Sequence, residues 1–260
     1  MPSIKNQNIL VIGGSSGIGF AVAKLASAEG VNVSIASSNA TRVSSAVAKL
    51  LTSTPGASIK GYTVDVSNDD AESQLEKLFT DVVAATGQAL DHIVYTAASL
   101  DVRPVSSVSA EYLRNSVQFG YVVPLLIAKL SARFVKQHYT SSLIFTSGRL
   151  AELPMKNMTV ASGWAAALYG VTRGLALDLA PVRANLVSPG ATDTEIFGEG
   201  EAREKIVAYM AKSALLGKIG SPEEVAEAYI YLMKDSNNTG SCVSTNGGVL
   251  VQPAENMSFD

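Results

Sequence analysis

The sequence predicts an α/β fold with a doubly wound, seven-stranded parallel sheet flanked by helices. Short β-like runs alternate with helical patterns along the chain, a glycine-rich turn joins the first strand to the first helix, and no linker or repeat divides the sequence. We therefore expect a single domain over residues 1–260. The predicted strands are Asn8–Ile12, Asn32–Ala36, Lys60–Val64, His92–Thr96, Ser142–Thr146, Arg183–Val187 and Cys242–Ser244.

The spacing of apolar residues predicts the helices between the strands. Gly17–Ala28 has apolar residues at positions i, i+3 and i+4, and a further helix is expected over Asp70–Thr86. Residues 195–217 interrupt the alternation with an acidic and lysine-rich stretch followed by SALLG. We expect this segment to form a flap over a substrate. An ordinary pair of surface helices is an equally open alternative.

Composition excludes several classes of function. The net charge is only −3, and no cluster of Lys and Arg suggests contact with nucleic acid. No apolar run reaches the roughly 18 residues of a membrane helix, and the amino terminus does not resemble a leader peptide. One cysteine and two histidines exclude disulfides and most metal chemistry, so we expect no metal site. These features are typical of a cytoplasmic α/β enzyme.

A glycine-rich turn follows the first strand and opens the first helix. It reads GGSSGIG from Gly13, with the spacing G-x-x-x-G-x-G. Glycines let the backbone turn tightly and approach a pyrophosphate, whose charge is stabilised at the positive helix amino terminus. In this strand–turn–helix context the motif predicts a Rossmann-type dinucleotide site. Its expected contact residues are Gly13, Ser15, Ser16, Gly17, Ile18 and Gly19.

The end of the second strand distinguishes between the two nicotinamide cofactors. NAD selectivity needs a carboxylate there to accept from the ribose 2′-hydroxyl, whereas this chain has only neutral and basic side chains. Hydroxyls, an amide and a guanidinium can hold a 2′-phosphate that a carboxylate would repel. The sequence therefore predicts NADP(H); a neutral turn without any 2′ contact is the alternative. The predicted 2′-phosphate residues are Ser37, Ser38, Asn39 and Arg42.

Several further motifs follow in a recognisable order. Asp65-Val66 follows the third strand, Tyr-Thr-Ala-Ala occupies residues 95–98, and Pro-Glu-Glu and Asn-Gly-Gly occupy residues 222–224 and 246–248. With the LALDLAPVRAN segment, they make the chain resemble the short-chain dehydrogenase/reductase family over essentially its whole length. The resemblance implies a homo-oligomer. It also implies cofactor contacts at Asp65, Val66, Ala97, Ala98, Pro189, Gly190, Thr192 and Thr194.

The same resemblance identifies the catalytic positions, and two of the expected residues are missing. In the family a Ser near the end of the fifth strand works with a Tyr, a Lys four residues later and often an Asn on the preceding helix. Ser147 matches the Ser, and Gln118 aligns with the Asn. Ala161 and Ala165 stand at the Tyr and Lys positions.

A second pair of residues has the spacing of the missing Tyr and Lys, the family's proton relay. Tyr169 and Arg173 have the Tyr-x-x-x-basic spacing. Tyr169 lies 20 residues before Pro189, whereas Ala161 lies 28 before it, closer to the spacing that is usual in the family. We therefore interpret Tyr169 and Arg173 as residues that pack their helix.

The loss of the relay changes which substrates suit the enzyme. In ordinary members the lysine lowers the pKa of the tyrosine, so that the phenol can protonate the developing alkoxide. General acid catalysis typically contributes roughly 10²–10⁴-fold, so reduction of simple ketones should be badly impaired. A cyclic iminium needs a hydride but no proton, and it escapes this penalty.

Other side chains are candidates for holding the substrate. Trp164, the only tryptophan, can stack on a flat aromatic substrate or stabilise a cation; filling the core is its alternative role. Arg149 follows Ser147 on the loop that leaves the strand, and Asp101 follows the Ala-Ala turn. Surface ion pairs are the plainer interpretation of Arg149 and Asp101. The candidate catalytic residues are therefore Ser147, Gln118, Trp164, Arg149 and Asp101.

The segments GGSSGIGFAVAKLA and FTSG resemble one atypical branch, the bifunctional reductase/Diels–Alderases of fungal indole-alkaloid pathways. That branch implies NADPH and an aromatic, indole-derived imine as the small-molecule substrate, without nucleic-acid or membrane partners. Members of that branch have an Asp in the altered segment, which is the segment where the family's Tyr and Lys are replaced. This chain lacks that Asp, because its residues 161–164 are Ala-Ser-Gly-Trp. The leading hypothesis is hydride transfer to an imine, coupled to cyclisation. The alternatives are a non-redox cyclase of Diels–Alderase or Pictet–Spengler type that uses NADP(H) as a structural part of the pocket, and a non-catalytic NADP-binding protein.

Overall fold

The computed structural model describes residues 1–99 and 101–251, and its strands form one parallel sheet. The strands are β1 Asn8–Ile12, β2 Asn32–Ser37, β3 Ile59–Thr63, β4 His92–Tyr95, β5 Ser142–Thr146, β6 Arg183–Pro189 and β7 Cys242–Thr245. Their order in the sheet is β3-β2-β1-β4-β5-β6-β7, so the strand order reverses between β1 and β4. In doubly wound sheets, ligands bind at the carboxyl ends of the strands that flank this reversal.

Helices cover both faces of the sheet. The helices are α1 Gly17–Ala28, α2 Ala40–Ser53, α3 Ala71–Thr86, α4 Ala110–Ser116, α5 Val123–Phe134, α6 Thr159–Asp178, α7 Gly200–Lys212 and α8 Pro222–Lys234. Residues of α1, α2 and α8 form one core with the sheet, and residues of α3, α5 and α6 form the other. Because successive side chains of a strand point to opposite faces, Ile9 and Val11 enter the first core and Leu10 and Ile12 the second.

The predicted fold class is confirmed, and the strand ends differ from the prediction by two residues at most. Strand β3 begins and ends one residue earlier than predicted, and β6 extends to Pro189. Helix α1 has the predicted ends, whereas α3 begins at Ala71 because Asp70 is its N-cap. The predicted single domain includes residues 252–260, which lie outside the described part of the chain.

The segment from 195 to 217 contains a short 3₁₀ turn, Glu195–Phe197, and helix α7. None of the α7 residues is buried. Several large apolar side chains of this segment are exposed, among them Tyr209 and Leu216. A role as a substrate flap stays a prediction.

One helical stretch is long and apolar enough to cross a membrane by length and composition alone. It runs from Ala110 to Phe134 with a mean hydropathy of 1.2, and 44% of its most apolar window is buried inside the fold. The expectation that no apolar run is long enough for a membrane helix holds only for uninterrupted runs, because charged residues interrupt this stretch. Val123, Ile127 and Phe134 of α5 belong to the core that includes α3, so α5 is a core helix here.

Two buried basic side chains, His92 and Arg183, begin strands β4 and β6 and stabilise the amino-terminal edge of the sheet. The Arg183 guanidinium is engaged entirely by main-chain oxygens, and burial lowers its pKa to about 10. His92 Nε2 donates to Gln7 Oε1 at 2.8 Å, and in the neutral imidazole Nδ1 accepts from Ser142 Oγ at 2.9 Å. Burial, followed by the charges of Arg183 and Lys136, lowers the pKa of His92 from 6.5 to about 3. The carbonyls that accept from Arg183 are those of Tyr139, Thr140, Leu232, Met233 and Asn238.

We expect the stability of the fold to fall on mild acidification because of His92. Below pH 6.5 the unfolded chain binds a proton at this imidazole, whereas the folded protein does not until about pH 3. The free energy of unfolding should therefore fall by up to about 1.4 kcal/mol per pH unit as the pH drops towards about 5. Urea unfolding of His92→Gln should show a shallower dependence on pH.

The second histidine provides the control for this measurement. His138 is exposed, so His138→Gln should keep the full dependence of the unfolding free energy on pH. If both variants titrate like the unaltered protein, the dependence does not arise from His92.

Candidate active site

The glycine-rich turn lies where β1, α1 and the end of β4 approach one another. Gly13 has a φ of +93°, a conformation that favours glycine, and its NH donates to Ala36 O at 2.8 Å. A Cβ at Gly13 would lie 2.6 Å from Thr96 Oγ1, and one at Gly19 would lie 2.5 Å from the same oxygen. Only glycine fits at these two positions, and the fit sets α1 directly on the carboxyl ends of β1 and β4.

The amino terminus of α1 is suited to an anion. Its N-cap, Ser16, makes no side-chain hydrogen bond to the helix, and its first turn contains no acidic residue. Ser15, Ser16 and Ile18 are half-buried at this end of the helix. A Cβ at Gly17 would lie 3.0 Å from Thr194 Cγ2, so the loop after β6 closes against the turn. Free helix NH groups and the helix dipole both favour a pyrophosphate here.

The predicted 2′-phosphate residues lie together at the carboxyl end of β2. Ser37 is half-buried, and Ser38, Asn39 and Arg42 are exposed. Asn39 caps α2, with its side-chain oxygen accepting from Arg42 N at 2.9 Å. Within the described residues the Arg42 guanidinium has no ion-pair partner, so its charge is available to a ligand.

The loop after β3 brings Asp65 to the same edge of the sheet. The Asp65 carboxylate is exposed, and hydrogen bonds from the side chain and main chain of Ser67 hold its pKa below the usual value. Gln118 Nε2 donates to Val66 O at 3.0 Å and to Asn68 O at 3.1 Å. The Gln118 amide nitrogen therefore holds the loop that carries Asp65. The contact of Gln118 with substrate stays a prediction. It would have to be made by Oε1, because Nε2 is already engaged.

Two more loops complete this edge. Ala97 is half-buried and Ala98 is exposed after β4. After Pro189, the Gly190 NH donates to Thr245 O at 3.0 Å, and Thr192 Oγ1 donates to Gly190 O at 3.2 Å. The first bond holds the loop after β6 against the end of β7, and the second lies within the loop.

The arrangement fits a nicotinamide dinucleotide. The glycine turn, the uncapped end of α1, the cluster around Arg42 and the loop before Thr194 lie along the carboxyl edge of the sheet where the strand order reverses. Each presents hydrogen-bond donors or small residues of the kind that the phosphates and rings of a dinucleotide need. When bound, the cofactor would supply a hydride.

Ser147 lies beside the altered segment of α6. Its Oγ donates to Ala165 O at 2.8 Å. Ala161 and Ala165 lie on one face of α6 and are 4% and 2% exposed. This contact supports the alignment of the two alanines with the family's Tyr and Lys, because it joins the β5 serine to that turn of α6.

Tyr169 lies one turn further along α6 and has other neighbours. It packs against the core, and its phenol lies beside Ser188 and Cys242 of β6 and β7. Burial raises the pKa of Tyr169 well above its ordinary value, which makes the phenol a weaker acid. These contacts support its interpretation as a helix-packing residue.

Trp164 packs against the short π-helix Gln118–Val122, which joins α4 to α5. A Cβ at Gly120 would lie 2.7 Å from Trp164 Cγ, well inside van der Waals contact. The π-helix is also held by Tyr95, whose hydroxyl donates to Phe119 O at 2.9 Å. The indole is half-buried. This contact favours the core-filling role for the face of the indole that covers Gly120. The contact itself could not be seen from the sequence alone.

The two charged candidates differ in their surroundings. The Asp101 carboxylate pairs with Arg103 at 3.0 Å, and the Arg103 guanidinium lies 4.0 Å from the Tyr112 ring centroid. This pairing on exposed side chains favours a surface ion pair over the catalytic role predicted for Asp101. Arg149 is half-buried, burial lowers its pKa, and its Nη1 donates to Ser213 Oγ at 3.2 Å. Arg149 thus joins the loop after β5 to the end of α7.

Two cavities lie away from the glycine turn. An open groove of about 510 Å³ lies between Phe20 and the second half of α2, and it includes none of the predicted site residues. A smaller cavity of about 130 Å³ lies below the end of α7 and is lined in part by Arg149. In the described residues, no group of three or more His, Cys, Asp or Glu side chains is placed to hold a metal ion.

Comparison with known proteins identifies the family. The model of an SDR-like Rossmann domain matches residues 2–252. The chain belongs to the short-chain dehydrogenase/reductase family. It is 50% identical over 253 residues to the short-chain dehydrogenase/reductase ATR9 of Stachybotrys chlorohalonatus, covering 97% of this chain and 100% of that protein. It is 35% identical to malC of Malbranchea aurantiaca, with 96% of each chain covered.

A solved structure has the same fold over nearly the whole chain. It is the MalC reductase/Diels-Alderase from Malbranchea aurantiaca, with a TM-score of 0.90 and 34% identity, covering 96% of this chain and 98% of that one. The predicted family and the predicted resemblance to reductase/Diels–Alderases are confirmed. The protein is therefore an oxidoreductase-type enzyme of this short-chain dehydrogenase/reductase family, whose Rossmann fold binds a nicotinamide cofactor.

Gly120→Ala should destabilise the protein. The added methyl group would collide with the Trp164 indole, and overpacking of this kind costs roughly 1–3 kcal/mol. Gly163→Ala is the matched control on α6, because apart from its chain neighbours and the backbone of its own helix no heavy atom lies within 4 Å of its added Cβ. There the loss of backbone freedom in the unfolded chain should stabilise the fold by about 0.4–1 kcal/mol. Urea unfolding distinguishes the two, and equal effects would exclude the Trp164 contact as the cause.

Proposed function

We propose that the protein is an NADPH-dependent enzyme of alkaloid-type secondary metabolism that reduces a cationic C=N⁺ group of a small molecule. The observation that carries the proposal is the chemistry of the helix beside Ser147. Residues 159–168 of α6 contain no ionisable side chain. Ser147 itself donates to a main-chain oxygen of this segment.

Neighbouring phenols do not replace the missing acid. Tyr229 is fully buried and shares a 2.7 Å hydrogen bond with Thr146, the residue before Ser147. Tyr95 is buried and donates to Phe119 O. Burial raises the pKa of both phenols above the ordinary value for tyrosine, so neither is suited to protonate an alkoxide at neutral pH.

The electrophile that needs no acid is a cation. Addition of a hydride to an iminium carbon breaks the C=N π bond, leaves its electron pair on nitrogen and gives a neutral amine. Addition of a hydride to a ketone leaves an alkoxide, which must take a proton. Ser147 and Gln118 Oε1 would orient the substrate by hydrogen bonds, and the uncovered part of the Trp164 ring would stack on an aromatic, indole-type group.

Further features complete the proposal. The exposed apolar side chains of residues 195–217 would cover the substrate as a flap. We infer a cytoplasmic homo-oligomer whose partner is the small-molecule substrate, without nucleic-acid or membrane partners. The homo-oligomer rests on the family alone.

The substrate preference can be tested with a matched pair of compounds. Oxidation of NADPH, followed by absorbance, should be at least about 100-fold faster in kcat/KM with a cyclic N-methyl iminium than with the corresponding ketone, because only the ketone needs the missing acid. With the N-methyl iminium, which has no N–H to lose, kcat should not change across neutral pH. Consumption of NADPH by the ketone alone would exclude the proposal.

A non-redox cyclase is the second candidate, and the name of the Malbranchea aurantiaca relative favours it. That protein is described as a reductase/Diels-Alderase. Ring closure depends on preorganisation of the substrate more than on a strong acid. With deuterium-labelled NADPH, deuterium in the product supports hydride transfer. Equal product yields with NADPH and NADP⁺, without deuterium, would assign the chain to the cyclase.

The preference for NADPH rests on the cluster at the end of β2. Arg42→Ala should weaken NADPH binding by about tenfold or more, since it removes a charge-assisted hydrogen bond to the 2′-phosphate, and should leave NADH binding nearly unchanged. Lys49→Ala is the control, because Lys49 is an exposed cation on the same helix. Calorimetric titration with each cofactor measures the binding affinity. If NADPH and NADH lose affinity equally, Arg42 does not bind the 2′-phosphate.

A further inference from the structure

A small cavity lies below the end of α7, separate from the glycine turn. Its volume is about 130 Å³, and its walls come from the loop after β5, the end of α7, the start of α8 and the loop after β7. Pockets for whole drug-sized ligands measure roughly 300–1,000 Å³, so this cavity suits one small chemical group. Its polar and charged walls include Arg149, Lys218, Glu224, Thr245 and Asn246.

The charges on these walls do not cancel. Lys218 pairs with Glu224, whose carboxylate also accepts from Ser221 N at 2.8 Å in the capping box of α8. This pair is neutral as a whole. Among the described residues no carboxylate pairs with Arg149, which bonds only to the Ser213 hydroxyl, and its Nε is buried without a partner. One positive charge is therefore uncompensated in a partly dehydrated site.

The remaining polar groups at the cavity are also donors. The Asn246 side-chain oxygen accepts from Gly248 N at 3.0 Å, which leaves its NH₂ group for another partner. Thr245 contributes a hydroxyl. A buried charge without a partner is unfavourable, and a guanidinium matches the two oxygens of a carboxylate or phosphate. Donors grouped around an unpaired guanidinium are typical of a site for an oxyanion.

We propose that this cavity binds a small oxyanion, a carboxylate or phosphate group, with Arg149 as its principal ligand. The anion neutralises the guanidinium and accepts from its free NH groups. Arg149 follows Ser147 by only two residues, so the anion can be an acidic group of the substrate. It can also be a free anion from solution. Binding of a free anion does not depend on hydride transfer, so this proposal can hold even where the proposed function fails.

The binding test compares anions at matched ionic strength. Thermal unfolding is followed in increasing sodium phosphate or sodium acetate, with sodium chloride as reference, for the unaltered protein and three variants. The unaltered protein should be stabilised in a saturable way by at least one of the two oxyanions. Arg149→Gln should weaken that apparent affinity by about tenfold or more, because it removes the charge-assisted hydrogen bonds.

Two control variants separate an anion site from a structural link. Ser213→Ala removes the hydrogen bond between Arg149 and α7 but keeps the guanidinium, and Lys212→Gln removes a nearby cation of α7. Both should keep the response to the oxyanion. A response equal to that in chloride, or the same loss in Ser213→Ala as in Arg149→Gln, would overturn the proposal, because ionic strength or the α7 link would then explain it.

A kinetic comparison identifies the source of the anion. Two cyclic iminium substrates are used that differ only in a carboxylate. If the substrate carries the anion, Arg149→Gln raises KM for the acidic one by about tenfold and leaves the neutral one unchanged. If the anion is free, stabilisation by oxyanions is present but the two substrates respond alike. Both results support the site.

Discussion

Where the strand order reverses between β1 and β4, three stretches of backbone lie so close together that no side chain fits between them. The turn after β1, the start of α1 and the end of β4 pack through Gly13, Gly19 and Thr96, and a single methyl group at either glycine would force them apart. This contact sets the direction of α1, and thereby points the helix NH groups at the carboxyl edge of the sheet. The loops that carry Arg42, Asp65 and Thr194 reach the same edge, so the whole site depends on this junction.

Features fixed by local pattern could be predicted from the sequence, and features fixed by distant contacts could not. All seven strands and the ends of α1 follow from apolar spacing and from the glycine turn, which involve neighbouring residues only. Gln118 could be aligned with a catalytic position, but its bond to Val66 joins segments far apart in the chain. The contact between Gly120 and Trp164 is equally remote, and it requires a π-helix that no periodicity indicates.

The electrostatics of the site are unusual for a reductase. Around Ser147 the hydroxyl groups bond to one another or to main-chain oxygens: Ser147 to Ala165, and Tyr229 to Thr146, which itself donates to Tyr95 O at 2.7 Å. Such a network orients groups and does not release protons, because each donor is already engaged. Charge for the reaction would then come from the substrate. On the proposed function, the predicted dinucleotide site can therefore serve the reaction although Ala161 and Ala165 stand at the Tyr and Lys positions.

The weak attachment of α7 has a consequence for the local stability of this helix. The helix has no buried residue, and the described polar contacts that join it and the residues directly after it to the body are chiefly Arg149 to Ser213, Arg203 to Asp193 and Leu216 N to Gly247 O. Local opening of such a segment costs far less free energy than unfolding the sheet beneath it. Helix α7 can therefore open and close many times during the lifetime of one folded chain, while the strands beneath it stay paired.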